Sequence, residues 1–143
     1  MTQPFPSAAE TSVIHEVVAH IAVAGEPPVP LPAELRYDRS DPYAVCLSIG
    51  TTSMGTVDWV FARSLLSEGM SRPVGAGDVL VMPRHGHSVR IVVRSRAGAA
   101  VLDIAAAVVT AFLERASRVV PPGTEGLHID LDRVVAELMA GSE

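Results

Sequence analysis

Apolar and polar positions alternate from Val13 to Val23: Val17, Ala19, Ile21 and Val23 share one face, and Glu16 and His20 the other. A period of two marks a half-buried strand. Tyr43 to Ile49 and Thr56 to Val60 read as a second and a third strand, and Gly50-Thr51-Thr52-Ser53-Met54-Gly55 between them has the composition of a hairpin loop. Asp41-Pro42 favours a turn just before the second strand. The run Pro27-Pro28-Val29-Pro30-Leu31-Pro32 removes backbone donors and favours polyproline geometry. It is therefore expected to be a connector or an edge, with no strand through its centre.

The period changes at Ala62. Phe61, Leu65 and Leu66 have helical spacing, and Gly69 is expected in the left-handed position that ends a short helix. Three more strands follow at Asp78 to Met82, Ser88 to Arg94 and Ala99 to Asp103. In the middle one Val89, Ile91 and Val93 face one way, and Ser88, Arg90 and Arg94 the other. Ile104 to Arg118 reads as a helix whose arc of Val108, Val109, Phe112, Leu113 and Ala116 opposes Thr110, Glu114 and Arg118. Pro121 and Pro122 stop it, and Pro122-Gly123 suits a type II turn. Asp130 caps a last predicted helix through Leu131, Val134, Val135, Leu138 and Met139. The resulting order, βββα then βββαα, predicts an α+β fold of antiparallel sheets with helices laid against them. Residues 1–12, polar and aperiodic, are expected to form a flexible tail before a single domain spanning 13–143.

Composition narrows what such a fold does. Of 143 residues, 48% are hydrophobic but only 4% aromatic, so the core is built from small and β-branched side chains, which favours sheet. All eleven basic residues are Arg and the net charge is -5, a balance that opposes nonspecific phosphate binding. The single cysteine, Cys46, lies in an apolar run and reads as a small buried hydrophobe. No basic-then-apolar leader and no run of roughly 18 apolar residues occurs, so a soluble, cytoplasmic chain is expected.

Candidate chemistry is sparse. His85-Gly86-His87 offers two imidazoles but lacks further ligands at metal-site spacing. Ser64, Ser67 and Cys46 have no nucleophile-elbow signature, and Gly75-Ala76-Gly77-Asp78 lacks the third glycine and the helix of a dinucleotide site. Asp38 and Asp41 flank a turn, where such side chains bond local amides. Arg63 and Arg72 are expected to pair with Asp38, Asp41 or Asp58 and to fix that loop against the short helix. Trp59 is read first as core filling, with an interface anchor as the sharper alternative.

Six blocks in fixed order carry more information than any one residue: R-Y-D-x-x-D-P-Y-A-V at Arg36 to Val45, V-x-W-V-F-A-R-x-L-L at Val57 to Leu66, Glu68-Gly69, Arg72-Pro73, Gly77-Asp78-Val79 and P-P-G-T-E at Pro121 to Glu125. Together they resemble the SsgA-like proteins, sporulation and cell-division regulators of filamentous actinobacteria, and within them the SsgB-like branch. The resemblance implies a fold like that of whirly and guide-RNA-binding proteins, a homotrimer, and a noncatalytic role in recruiting or positioning FtsZ at septum sites, with other SsgA-like or division proteins as further partners. It marks no catalytic residue and no cofactor. The expected partner surface is Asp38, Asp41, Arg63 and Arg72, taken as exposed members of the matched blocks, with Tyr43 and Trp59 as possible interface anchors. The alternative the fold likeness suggests is single-stranded nucleic-acid binding through Arg84, Arg90, Arg94 and Arg96, which the net charge opposes.

Overall fold

The structure, a computed structural model, describes residues 11–23, 25–51, 55–128 and 138–140. Strands β1 (Ser12–Val23), β2 (Val29–Asp38), β3 (Ala44–Thr51) and β4 (Gly55–Ala62) lead into helix α1 (Arg63–Gly69). Strands β5 (Val74–Ala76), β6 (Val79–Arg84), β7 (Ser88–Ser95) and β8 (Gly98–Ala105) lead into helix α2 (Ala106–Val119), and a 3-10 turn follows at Glu125–His128. Among the described residues the order is thus ββββα twice, which corrects the βββα-βββαα expectation by two strands. The predicted last helix falls largely on residues 129–137, outside the described residues, as does most of the expected tail.

β5, three residues long, is too short to show a period. β2 is the more instructive miss, because prolines were expected to exclude a strand. Pro30 and Pro32 both pair with β1, opposite His20 and Val18, whereas the ladder to β3 begins only at Ala33, opposite Ile49. Prolines at every second position place all their missing donors on one side of the strand, and the stretch that carries them has a neighbour on one side only, since the β3 ladder stops short of both.

All eight strands form one antiparallel sheet in the order β4-β3-β2-β1-β8-β7-β6-β5. Two four-stranded meanders meet at β1 and β8, which share only the register from His20↔Asp103 to Val23↔Ala100. Alternation selects the inward face: Val13, Val17 and Ala19 on β1, Leu35 and Tyr37 on β2, Val45 and Leu47 on β3, Val89, Ile91 and Val93 on β7. α1 packs against β4 at one margin of the sheet and against β5 and β6 at the other, so the sheet curls around a shared interior. α2 enters that interior through Val109, Phe112 and Ala116, and the Phe112 ring meets His15 edge-on at 5.7 Å between centroids. Burying Phe112 completely stabilises the fold by about 1.5–3 kcal/mol.

Gly69 corrects a second expectation. It is helical and has no left-handed φ; instead a Cβ there would overlap Val81 Cγ1, so glycine is needed for the close approach of α1 to β6. Gly123 does take a left-handed φ of 93°, and Thr124 N–H donates to the Pro121 carbonyl at 3.1 Å, closing the turn anticipated there.

Candidate functional site

Three of the matched blocks, distant in sequence, meet at one corner of the molecule. The turn after β2 is shaped by Asp38, whose Oδ1 accepts from the Ser40 N–H at 2.8 Å and the Ser40 hydroxyl at 2.7 Å. These bonds, the backbone one first, hold the Asp38 carboxyl below the usual range. Asp41 N–H donates to the Asp38 carbonyl and Ala44 N–H to the Asp41 carbonyl, so the chain folds back and buries Pro42. Buried Tyr37 reaches beneath this turn and donates its hydroxyl to the Pro42 carbonyl at 2.9 Å. Burial pushes the Tyr37 phenol up.

Arg63, the first residue of α1, binds the turn to the second half of the chain. Its backbone N–H donates to the Tyr43 carbonyl at 2.7 Å, and its guanidinium carbon lies 4.9 Å from the Tyr37 ring centroid. One guanidinium nitrogen donates to the carbonyls of Val120 at 2.7 Å and Ala116 at 3.4 Å, at the end of α2; the other donates to Glu125 Oε2 at 2.6 Å. A cation at a helix C-terminus satisfies carbonyls that the helix cannot, and favours the local dipole. Glu125 Oε1 in turn accepts from Gly123 N–H at 2.9 Å, and the Arg63 bond leads the causes that hold the Glu125 carboxyl low. Tyr37, Arg63 and Glu125 thereby lock R-Y-D-x-x-D-P-Y, A-R-x-L-L and P-P-G-T-E into one unit.

The unit displays an apolar pair. Tyr43 is 54% exposed and Leu127 82%, and a Cβ at Gly126 would sit 3.7 Å from the Tyr43 hydroxyl, so the 3-10 turn adjoins the tyrosine. Asp38 and Asp41 in the turn before Tyr43, and Pro121 and Pro122 in the loop before the 3-10 turn, are exposed as well.

The expected site residues therefore separate. Asp38, Asp41 and Tyr43 share the exposed corner. Arg63 does not belong to an exposed surface: at 5% exposure it is the corner's buried hinge pin, and its acidic partner is Glu125, not Asp38, Asp41 or Asp58. Arg72 lies past the end of α1 and pairs with Glu68 at 2.8 Å, one helical turn back. Trp59 faces inward on the margin strand β4, half-buried, opposite Leu47 and against the core. Asp58 faces outward and accepts from the Ser48 hydroxyl at 2.6 Å. Cys46 is not a buried hydrophobe: with Val45 and Leu47 inward, alternation turns it outward, where its sulfur lies 3.8 Å from both Arg36 and the Ser48 hydroxyl. Leu127 went unnoticed because a lone leucine after a turn has no periodic neighbours. Glu125 stood in a matched block, but its partner was hidden by 62 residues of separation.

His85 and His87 occupy the exposed β6–β7 turn, where the His87 carbonyl accepts from Ala106 N–H at 2.8 Å and so closes the first turn of α2. Among the described residues no three His, Cys, Asp or Glu side chains come together as metal ligands, and no helix is long and apolar enough to cross a membrane.

The family profile described as Streptomyces sporulation and cell division protein, SsgA, matches residues 31–125, a span that contains every element of this corner up to Glu125. The sporulation-specific cell division protein SsgB of Streptomyces coelicolor is 44% identical over 135 residues, covering 92% of this chain and 98% of the relative. A solved structure described as "Mutations in SsgB correlate to longitudinal cell division during sporulation of Streptomyces coelicolor" superposes with a TM-score of 0.77 at 45% identity, over 83% of this chain and 96% of that one. The structure of an SsgA-like sporulation-specific cell division protein from Thermobifida fusca superposes at 0.79 and 37% identity, over 89% and 95%. With its ordered motif blocks, its α+β fold and these matches across nearly its whole length, the chain belongs to the SsgA-like family of sporulation and cell-division proteins, in the SsgB branch.

Proposed function

We propose that this protein is a noncatalytic regulator of sporulation-specific cell division that helps recruit or position FtsZ at septum sites. In this reading it works in the cytoplasm and at the division septum, as a homo-oligomer, a trimer in the whirly-like manner, with residues 13–143 acting as one domain. The observation that carries it is the corner itself. Three matched blocks spend a buried ion pair, a cation–π contact and a buried tyrosine hydroxyl on holding Tyr43 and Leu127 out toward solvent, beside Asp38 and Asp41. That is the make-up of a protein-docking anchor with a polar rim. Relatives named as sporulation-specific cell division proteins supply the process. Nucleic-acid binding is the weaker reading: the chain carries -5, and Arg90, central to the basic group, is already held by Asp103 at 2.8 and 2.9 Å.

Fluorescence titration of labelled protein with FtsZ under polymerising conditions tests the proposal. Saturable binding that weakens in Tyr43→Ala and Leu127→Ala is expected. Absence of binding by both oligomeric and monomeric fractions would refute it.

A further inference from the structure

A groove opens where the two meanders part. β8 pairs with β1 only from His20↔Asp103 to Val23↔Ala100, and the chain then turns into α2 at Ala106. Among the described residues, Ser12 to Ala19 therefore have β2 on one side and no strand on the other. Along this stretch the outer side of β1–β4 and the start of α2, at Ala105 and Val108, line an open groove of about 1110 Å³. Small-molecule pockets hold about 300–1,000 Å³ and bury most of their ligand, whereas an open trough of this size suits a segment of chain.

The lining joins a charged row to an apolar one. Glu16 stands opposite Glu34, Glu34 opposite Ser48, and Ser48 opposite Asp58, and all four line the groove. At a strand spacing of about 4.8 Å the row is about 14 Å long. Ser48, 9% exposed, donates its hydroxyl to Asp58 at 2.6 Å, and Arg36, the one guanidinium in the lining, lies 3.9 Å from the same carboxylate. Asp58 is thus supplied from within, but among the described residues no ion pair reaches Glu16 or Glu34. Like charges directly opposite destabilise an antiparallel pair, so a cation arriving from outside relieves a cost already built into the sheet. The next outward pair along the same two strands is Val18 and Pro32, with Val18 56% exposed, and Val108 faces the groove from α2.

We propose that this groove binds a cationic, partly apolar segment of a partner protein, with its Arg or Lys side chains on Glu16 and Glu34 and its apolar side chains against Val18, Pro32 and Val108. A single metal ion does not match a row of carboxylates spread across strands, and among the described residues no three His, Cys, Asp or Glu side chains converge as ligands. A polyamine would meet the charges and leave the apolar row in water. Nucleic acid is repelled by the carboxylates. A broad sheet face of a second copy cannot enter a trough, whereas one polypeptide segment satisfies both rows at once. None of the lining residues belongs to the Tyr43 and Leu127 corner, so the groove is a second docking surface, beyond the functional reading and independent of it.

Fluorescence anisotropy of the full chain tests the assignment. The probe is a labelled peptide of about ten residues built from Arg, Leu and Ser, long enough to span the row. Two counterparts accompany it, one with serine for leucine and one with glutamate for arginine, together with spermine as competitor. Binding should be saturable and weaken as salt rises, and Glu16→Gln and Glu34→Gln should each raise Kd roughly fivefold, the double variant more. Val18→Ser should weaken binding without any change of charge, while Glu114→Gln, on exposed α2 surface outside the groove, should have no effect. Circular dichroism verifies folding of each variant. No binding, indifference to Glu34→Gln, or equal binding of the serine counterpart or spermine overturns the proposal, the last by showing a surface that reads charge alone. So does a Glu34→Gln variant whose sedimenting mass changes while the peptide fails to bind, which would give the groove to a second copy. FtsZ binding that is lost in Tyr43→Ala and kept in Glu34→Gln separates the two surfaces, so failure of either reading leaves the other standing.

Discussion

The Arg63 guanidinium and the Glu125 carboxylate, 62 residues apart in sequence, meet at 2.6 Å with side-chain exposures of 6% and 17%. This ion pair ties the start of α1, between the two meanders, to the loop that follows α2, and it passes over the Tyr37 ring on the way.

Removing Arg63 should therefore cost far more than removing an ordinary surface arginine. Arg63→Met strands the Ala116 and Val120 carbonyls and leaves Glu125 without its cation, a loss of about 3 kcal/mol. Arg63→Lys should recover only part, because a single ammonium cannot reach the helix carbonyls and the carboxylate together. Urea midpoints of the three proteins measure both effects.

Acid should unfold the protein partly through this pair. The carboxyls of Glu125, Asp103 and Asp38 are all held below their ordinary values, by Arg63, Arg90 and the Ser40 N–H respectively. Their stabilisation is complete above the unfolded-state carboxyl range and is lost as pH falls through the lowered folded values. Burial lowers the His15 imidazole, so its uptake of a proton in the unfolded chain adds to the loss on the acid side of its normal value. Stability followed by urea midpoint should decline from mildly acidic pH downward, and Glu125→Gln should flatten the lower part of that decline.

Gly69→Ala should destabilise by about 1–3 kcal/mol through overlap with Val81, with no helix-propensity gain large enough to offset it. The same substitution in a Val81→Ala background should cost clearly less, since the two positions share one space. Thermal unfolding of the four proteins in that cycle checks the coupling.

Tyr43→Ala should leave stability within about 1 kcal/mol, because the side chain is mostly solvated, yet weaken FtsZ binding by about 2 kcal/mol, roughly thirtyfold in Kd. Arg72→Ala should change stability by about 0.5 kcal/mol or less, as its pair with Glu68 is exposed.

Much of this molecule is local in origin. Alternation in β1 and β7 and the 3.6-residue arc of α2 identify those elements and their buried faces, because a period of two or 3.6 records which side meets the core, whereas β3 and β4 were legible as strands but the outward turn of Cys46 was not. The family, too, was legible, since its motif blocks are contiguous. β2 was not, because whether a proline breaks a strand depends on which neighbour the missing donor would have faced, and the neighbour is set by the sheet order. Gly69 was misjudged for a related reason: the sequence displays a glycine beside a helix end, but not the Val81 side chain from another strand that requires it.

What the sequence determined by itself is therefore the inventory of strands and helices with a clear period, the inward identity of their side chains, and kinship. Only the tertiary structure decided that Arg63 is buried and not displayed, that Glu125 and not an aspartate of the β2–β3 turn is its partner, and that Glu16, Glu34, Ser48 and Asp58 form one row. The physical reason is that periodicity reports a residue's face within its own element, whereas pairing depends on strand order and register across the sheet, which bring together residues that no local pattern connects.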